Sequence, residues 1–205
     1  MSLITLDVLR AAMPKLPAPK AAEYLPFLAA AMEEASINTA LRIAAFLSQL
    51  GHESADFRYM EEVADGSAYE GRKDLGNTQP GDGKKFKGRG PIQITGRNNY
   101  AAFGKAVEQD FTSSLESAKL LASPQWGFKA AAWFWNTKKL NTYADTGDFQ
   151  AITFRINGGC NGADDRDKRY DAARKALGIE GAPIVRKACA VYVAEWKAAR
   201  AAKKA

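Results

Sequence analysis

A chain of 205 residues with 46% hydrophobic and 25% charged side chains carries enough apolar material for one globular domain, which excludes wholesale disorder. Its 29 Lys+Arg against 23 Asp+Glu leave a net +6 and raise the prospect of an anionic partner: nucleic acid, a membrane surface or a cell wall. One histidine (His52) and two cysteines (Cys160 and Cys189) are too few for a Cys/His zinc site, and no run approaches the ~18 apolar residues of a membrane span.

From Met1 to Lys20 no basic segment precedes an apolar one, and Pro14, Pro17 and Pro19 interrupt the stretch, so no secretory signal is expected. Apolar residues then recur at helical spacing. Ala22 to Glu34 predicts a helix. Asn38 is a candidate N-cap for a second, running through Leu41, Ala45, Phe46 and Leu50 toward His52. Gly66 to Gly96 breaks the rhythm with eight glycines, Pro80 and Pro91, and predicts a long irregular excursion. Within it Phe86, Ile92 and Ile94, alternating with Gln93 and Thr95, argue for order and a short strand. The loop does not cradle phosphate: Gly76-x4-Gly81 is followed by Asp82 rather than Lys-Ser/Thr, and neither Gly81-Asp82-Gly83 nor Gly88-Arg89-Gly90 completes a dinucleotide pattern.

Helical patterns resume over Asn98 to Gln109, Leu115 to Leu121, Pro124 to Asn136, Phe149 to Ile156 and Asp164 to Leu177. A last one starts at Pro183, a residue suited to a first turn. The expected fold is therefore mainly α, a single domain over 1–182 followed by a basic amphipathic helix over 183–205. That last segment holds six basic residues (Arg186, Lys187, Lys197, Arg200, Lys203, Lys204) against Glu195, leaving 23 basic and 22 acidic residues for the body. Val185, Cys189, Tyr192 and Trp196 form an apolar stripe on it, suited either to docking on the body or to contact with an anionic envelope. Both cysteines are expected to be free thiols in a protein made in a reducing cytoplasm.

Chemistry is carried by carboxylates. Glu53 lies in step with Phe46 and Leu50, at the edge of a buried helix face, where burial would raise its pKa as a general acid requires; a surface glutamate at a fraying helix end is the plain alternative. Glu61, Glu62 and Glu70 follow, and glycoside hydrolysis commonly uses two such groups. The run His52-Glu53-Ser54-Ala55-Asp56 lacks the second histidine of a zinc protease motif. No Gly-x-Ser-x-Gly exists for a nucleophile elbow.

Four blocks appear in order: Leu47 to Ser54 (LSQLGHES), Gly88 to Tyr100 (GRGPIQITGRNNY), Gly127 to Trp135 (GFKAAAWFW), and Ile156 to Gly159 (INGG) followed by Asp165-Arg166 and Lys168-Arg169-Tyr170. Together they resemble glycoside hydrolase family 19 over Ala21 to Gly178, in a form more like its bacteriophage endolysin branch than its plant chitinases. The resemblance implies a lysozyme-like or chitinase-like helical domain with the Gly-rich loop beside the catalytic cleft. It implies Glu53 as general acid, Glu70 as general base with Glu62 as the competing choice, and Thr95 holding the attacking water. Gln93, Asn99 and Asn157 fall on sugar-contacting positions, and Arg166 on a cleft arginine tied to the acids. Tyr69, Phe86 and Tyr100 border the loop as candidates for stacking on sugars, whereas Trp133 and Trp135 read as core. Inversion requires the two carboxyls to stand ~6.5–9.5 Å apart, with no metal and no cofactor.

The leading expectation is thus a peptidoglycan-cleaving endolysin, a monomer stored in the cytoplasm and reaching the wall after holin-type release. A chitinase is the second reading. A nucleic-acid-binding or wall-binding protein without catalysis is the third, and no recognised nucleic-acid motif supports it.

Overall fold

The computed structural model describes residues 3–185 and 187–202. Eleven helices make up most of the described chain: α1 (Leu6–Ala12), α2 (Ala18–Glu34), α3 (Ala40–Glu53), α4 (Asp82–Lys85), α5 (Arg97–Val107), α6 (Leu115–Lys119), α7 (Pro124–Thr137), α8 (Asn141–Asp145), α9 (Phe149–Asn157), α10 (Ala163–Ala176) and α11 (Cys189–Ala202). The helical class holds. Of these, α1 and α8 are too short to show a period, and the Thr5 hydroxyl caps α1 by accepting from Val8 N at 3.3 Å. The second predicted cap falls one residue along, at Thr39 instead of Asn38.

α3 is the centre. From Ile43 to Gly51 every residue is buried, as expected of a helix surrounded on all sides by others, and it packs most extensively on α10. Phe46 meets Trp135 of α7 edge-on at 5.2 Å, while Tyr24, Phe57 and Phe128 close a triangle of edge-on rings beside it. Each such fully buried ring contributes ~1.5–3 kcal/mol through apolar burial. A second, smaller core of Phe86, Ile94, Tyr100, Phe103, Phe111 and Leu121 lies under the Gly-rich excursion, and Ile92 packs against both. Trp135 is core, as its helical spacing predicts, and Trp133 packs at 5.6 Å from Phe103.

The excursion is ordered but contains no extended strand. It carries two 3-10 turns (Ser67–Tyr69 and Lys73–Leu75), then α4. The strand expected around Ile92 reduces to an isolated bridge between Arg89 and Ile94, joined to another between Glu61 and Arg89. Buried Asp82 braces the far end: its carboxylate accepts from Thr78 N, Gln79 N and the Arg97 guanidinium, which holds it below the usual carboxylate range.

Two expectations for the C-terminal segment are corrected. Cys160 and Cys189 are not free thiols: they are joined in a disulfide, Cα–Cα 6.1 Å, because the docking of α11 on α9 brings its first residue against the loop that follows α9. Nor does Pro183 open the helix. Carbonyls of Ile179, Glu180 and Ala182 are held by buried Arg174, and Val185 N donates to Gly147 O, so Pro183 lies in an irregular stretch and the helix begins at Cys189. Of the predicted apolar stripe, Tyr192 is buried against the body with its hydroxyl donating to Asp148; Val185 falls before α11, and Trp196 lies edge-on to Phe154 yet stays exposed. Arg186, Lys203 and Lys204, part of the basic cluster predicted there, lie outside the described residues.

Candidate active site

Glu53 ends α3, four residues beyond Gln49 on the same helix face. Across from them α10 presents Arg166, whose side chain is only 2% exposed. Its guanidinium donates to Glu53 Oε1 at 2.5 Å, to Gln49 Oε1, and to the Asn161 carbonyl at 3.4 Å. Gln49 in turn donates to the Thr153 hydroxyl at 2.8 Å, tying the group to α9. Glu53 itself is a quarter exposed, so burial alone does not define its surroundings, as the sequence argument assumed; a neighbouring cation does. Gln49 was missed, although a glutamine inside an otherwise apolar buried stripe is a readable signal.

After Glu53 the chain reverses through Ala55, Asp56 and Phe57, three consecutive non-glycine residues at φ 50°, 62° and 59°. Left-handed backbone costs roughly 1–2 kcal/mol per residue, so three in a row persist only if held. Phe57 is anchored in the main core, and the buried Asp56 carboxylate accepts from Arg169 of α10 and from Lys15 N at 2.7 Å. Arg169 also pairs with Asp165, which receives His52 at 2.8 Å; although burial opposes it, these two partners hold Asp165 below the usual carboxylate range.

That reversal delivers an extended run, Met60 to Glu62, alongside Gly88 to Gly90. Glu62 N donates to Gly88 O at 2.9 Å and Gly90 N to Met60 O at 2.8 Å. Extended backbone alternates its side chains, so the adjacent acids separate. Glu61 joins Arg89, itself buried, at 3.0 Å. Glu62 turns the other way: Oε1 accepts from the Tyr69 hydroxyl at 3.0 Å and Oε2 from Gly88 N at 3.1 Å. A Cβ placed on Gly88 would stand 3.3 Å from both Glu62 Oε2 and Thr95 Oγ1, and 2.6 Å from Gln93 Oε1. The carboxylate, the hydroxyl and the amide therefore converge around the α-carbon of Gly88, where no side chain intervenes. Gln93 is another left-handed non-glycine residue, φ 55°, and the Thr95 hydroxyl donates to its carbonyl at 2.9 Å.

The other predicted residues lie elsewhere or do other work. Glu70 is exposed, and both its oxygens are occupied by loop amides, Gly81 N and Gly83 N, each at 2.7 Å; it braces the excursion. Tyr100 is corrected outright. It is fully buried, its hydroxyl donates to Lys87 O and accepts from Arg89, burial pushes its pKa up to about 12, and it offers no ring face to a sugar. Phe86 is likewise buried against it. Asn99 is exposed, donating to Thr95 O at 2.7 Å, and Asn157 is exposed, donating to Asn161 O at 3.0 Å.

The family model described as chitinase class I matches residues 19–147, more than half of the chain. The chain belongs to glycoside hydrolase family 19. A family 19 domain-containing protein of Haemophilus influenzae is 32% identical over 71% of this hydrolase and 84% of its own length. The Arabidopsis thaliana endochitinase At2g43610 is 45% identical over 58% of it, and there this chain spans only 41% of the relative. In fold, it resembles a bacterial family 19 chitinase (TM-score 0.70, 23% identity, 90% and 98% of the two chains) and the Zea mays class IV chitinase (0.57, 25%, 88% and 84%). This family 19 protein is thus a chitinase-like enzyme that hydrolyses glycosidic bonds.

Proposed function

We propose that this enzyme cleaves the β-1,4-linked glycan of bacterial peptidoglycan by inversion, with Glu53 as general acid, Glu62 as general base and Thr95 and Gln93 positioning the attacking water. The observation that carries the assignment is the convergence of Glu62 Oε2, Thr95 Oγ1 and Gln93 Oε1 beside Gly88. Glu62 is preferred to Glu70 as base because its carboxylate lies beside Thr95 and Gln93, whereas Glu70 is clasped by the loop amides of Gly81 and Gly83. In the reaction Glu53 gives its proton to the glycosidic oxygen as that bond breaks. Water attacks the anomeric carbon from the opposite face, and Glu62 takes its proton. Arg166 then stands beside the carboxylate that Glu53 becomes, stabilising charge where it develops.

Peptidoglycan is favoured over chitin on two grounds. Stem peptides make the wall polymer anionic, which suits the basic segment 183–205 beside a nearly neutral body, whereas chitin is neutral. The chain also spans most of a bacterial relative but less than half of a plant endochitinase. Chitin is the second reading because the plant relatives are chitinases by name. A lysis role of the endolysin type follows from the first reading. Purified peptidoglycan and chitin oligomers, digested in parallel and followed by mass spectrometry of the new reducing ends, separate the two. Glu53→Gln and Glu62→Gln should each lose at least 10²-fold in rate and Glu70→Gln far less. A Glu62→Gln enzyme within tenfold of wild type would refute the base assignment.

A further inference from the structure

A base that must accept a proton from one direction needs its carboxylate held in one rotation, and Glu62 sits on a short half-buried run with a flexible side chain. One oxygen, Oε2, lies on the side of Gly88 with Thr95 Oγ1 and Gln93 Oε1; the other, Oε1, is met by the hydroxyl of Tyr69 at 3.0 Å. We propose that Tyr69 is a positioning residue for Glu62, its hydroxyl fixing Oε1 so that a lone pair of Oε2 stays aimed at the water site. The inference rests on Glu62 being the base.

Tyr69 is itself built in. It closes the 3-10 turn Ser67–Tyr69, and its carbonyl accepts from Asn77 Nδ2 at 2.9 Å. Asn77 is fully buried, and its Oδ1 accepts from Arg97 N at the start of α5. Glu70, next along the chain, is clasped by Gly81 N and Gly83 N. The Gly-rich excursion thereby holds the tyrosine against the carboxylate from a separate element. Among the described residues Oε2 accepts from Gly88 N alone, and an ionised carboxylate oxygen has room for a second donor, which a water can be. Burial, then the hydrogen bond and charge of Glu62, raise the Tyr69 pKa above 10, so the phenol remains a donor across the neutral range. The alternative role for this ring, stacking on a sugar, would depend on the aromatic face and not on the hydroxyl.

The two roles separate on removal of the hydroxyl alone. Tyr69→Phe and Tyr69→Ala are assayed with wild type on whichever of the two glycans the enzyme cleaves, with kcat and KM resolved and thermal melts in parallel. Losing a hydrogen bond to a charged group should lower kcat of Tyr69→Phe by about 10- to 100-fold. KM should stay within twofold, and adding Tyr69→Phe to Glu62→Gln should cost little more than Glu62→Gln alone. Wild-type kcat in Tyr69→Phe, with KM raised only in Tyr69→Ala, would make Tyr69 a stacking platform and overturn the inference. A large drop in Tm with raised KM in Tyr69→Phe would also overturn it, by showing that the hydroxyl holds the loop. Failure of the underlying assignment looks different: Glu62→Gln itself would then remain active.

Discussion

Asp56→Ala is expected to loosen the reversal that joins Glu53 to Glu62. Its carboxylate is buried, accepts from Arg169 and Lys15 N, and sits in the middle of three left-handed residues. Removing one partner of a buried ion pair typically costs about 3–5 kcal/mol. Arg169 keeps Asp165 at 2.7 Å and the Ala12 carbonyl at 3.0 Å, so it is not stranded, and the loss should fall near the lower end, about 3 kcal/mol. For a chain of this size that lowers Tm by about 6–12 °C. A functional loss should accompany the stability loss, because the freed left-handed residues let the end of α3 move relative to the Met60 to Glu62 run. A displacement near 1 Å in a catalytic group costs on the order of 10²-fold in rate. Urea denaturation gives the first quantity, and kcat at 25 °C, where the variant remains folded, gives the second. A stability loss below about 1 kcal/mol with unchanged kcat would show that Phe57 packing alone holds the turn.

Gly88→Ala should fold, since the nearest obstacle is the movable end of Gln93, yet lose at least 10²-fold in kcat by filling the spot between Glu62 and Thr95; kcat beside a thermal melt checks this. Breaking the Cys160–Cys189 bridge, which spans 29 residues, removes at most about 3.6 kcal/mol of chain-entropy stabilisation. Because α11 docks chiefly on α9, Cys189→Ser should speed hydrogen exchange in 187–202 while leaving α3 and α10 protected, and loss of protection throughout would contradict that. Asp82 has a lowered folded-state pKa, so its contribution is fully present above its ordinary value of 3.8 and fades as pH falls through the folded value. Residues 77–97 should therefore loosen below about pH 4. Asp82→Asn should loosen the same segment at neutral pH and flatten that dependence, as hydrogen exchange across pH would report.

The helices of the body were legible because their apolar residues recur at helical spacing and little competes with that period: α3, α5, α7, α9 and α10 lie within a few residues of their predicted bounds. The place of Glu53 at the end of α3 was legible for the same reason, since it lies in step with Phe46 and Leu50. So was the irregular stretch from Gly66 to Gly96, since its glycines and prolines forbid a long helix. What depends on contacts between distant segments was not. That Glu70 finds loop amides for both oxygens, while Glu62 lies beside Thr95, depends on the folding of 66–96 back on 60–62. Tyr100 reads as a cleft aromatic beside a glycine loop, yet it fills the second core because α5 packs under that loop. The disulfide has the same origin: 29 residues of sequence say nothing about whether α11 returns to α9. Local periodicity is written in neighbouring residues, whereas the direction a carboxylate faces is set by whatever the rest of the chain places opposite it.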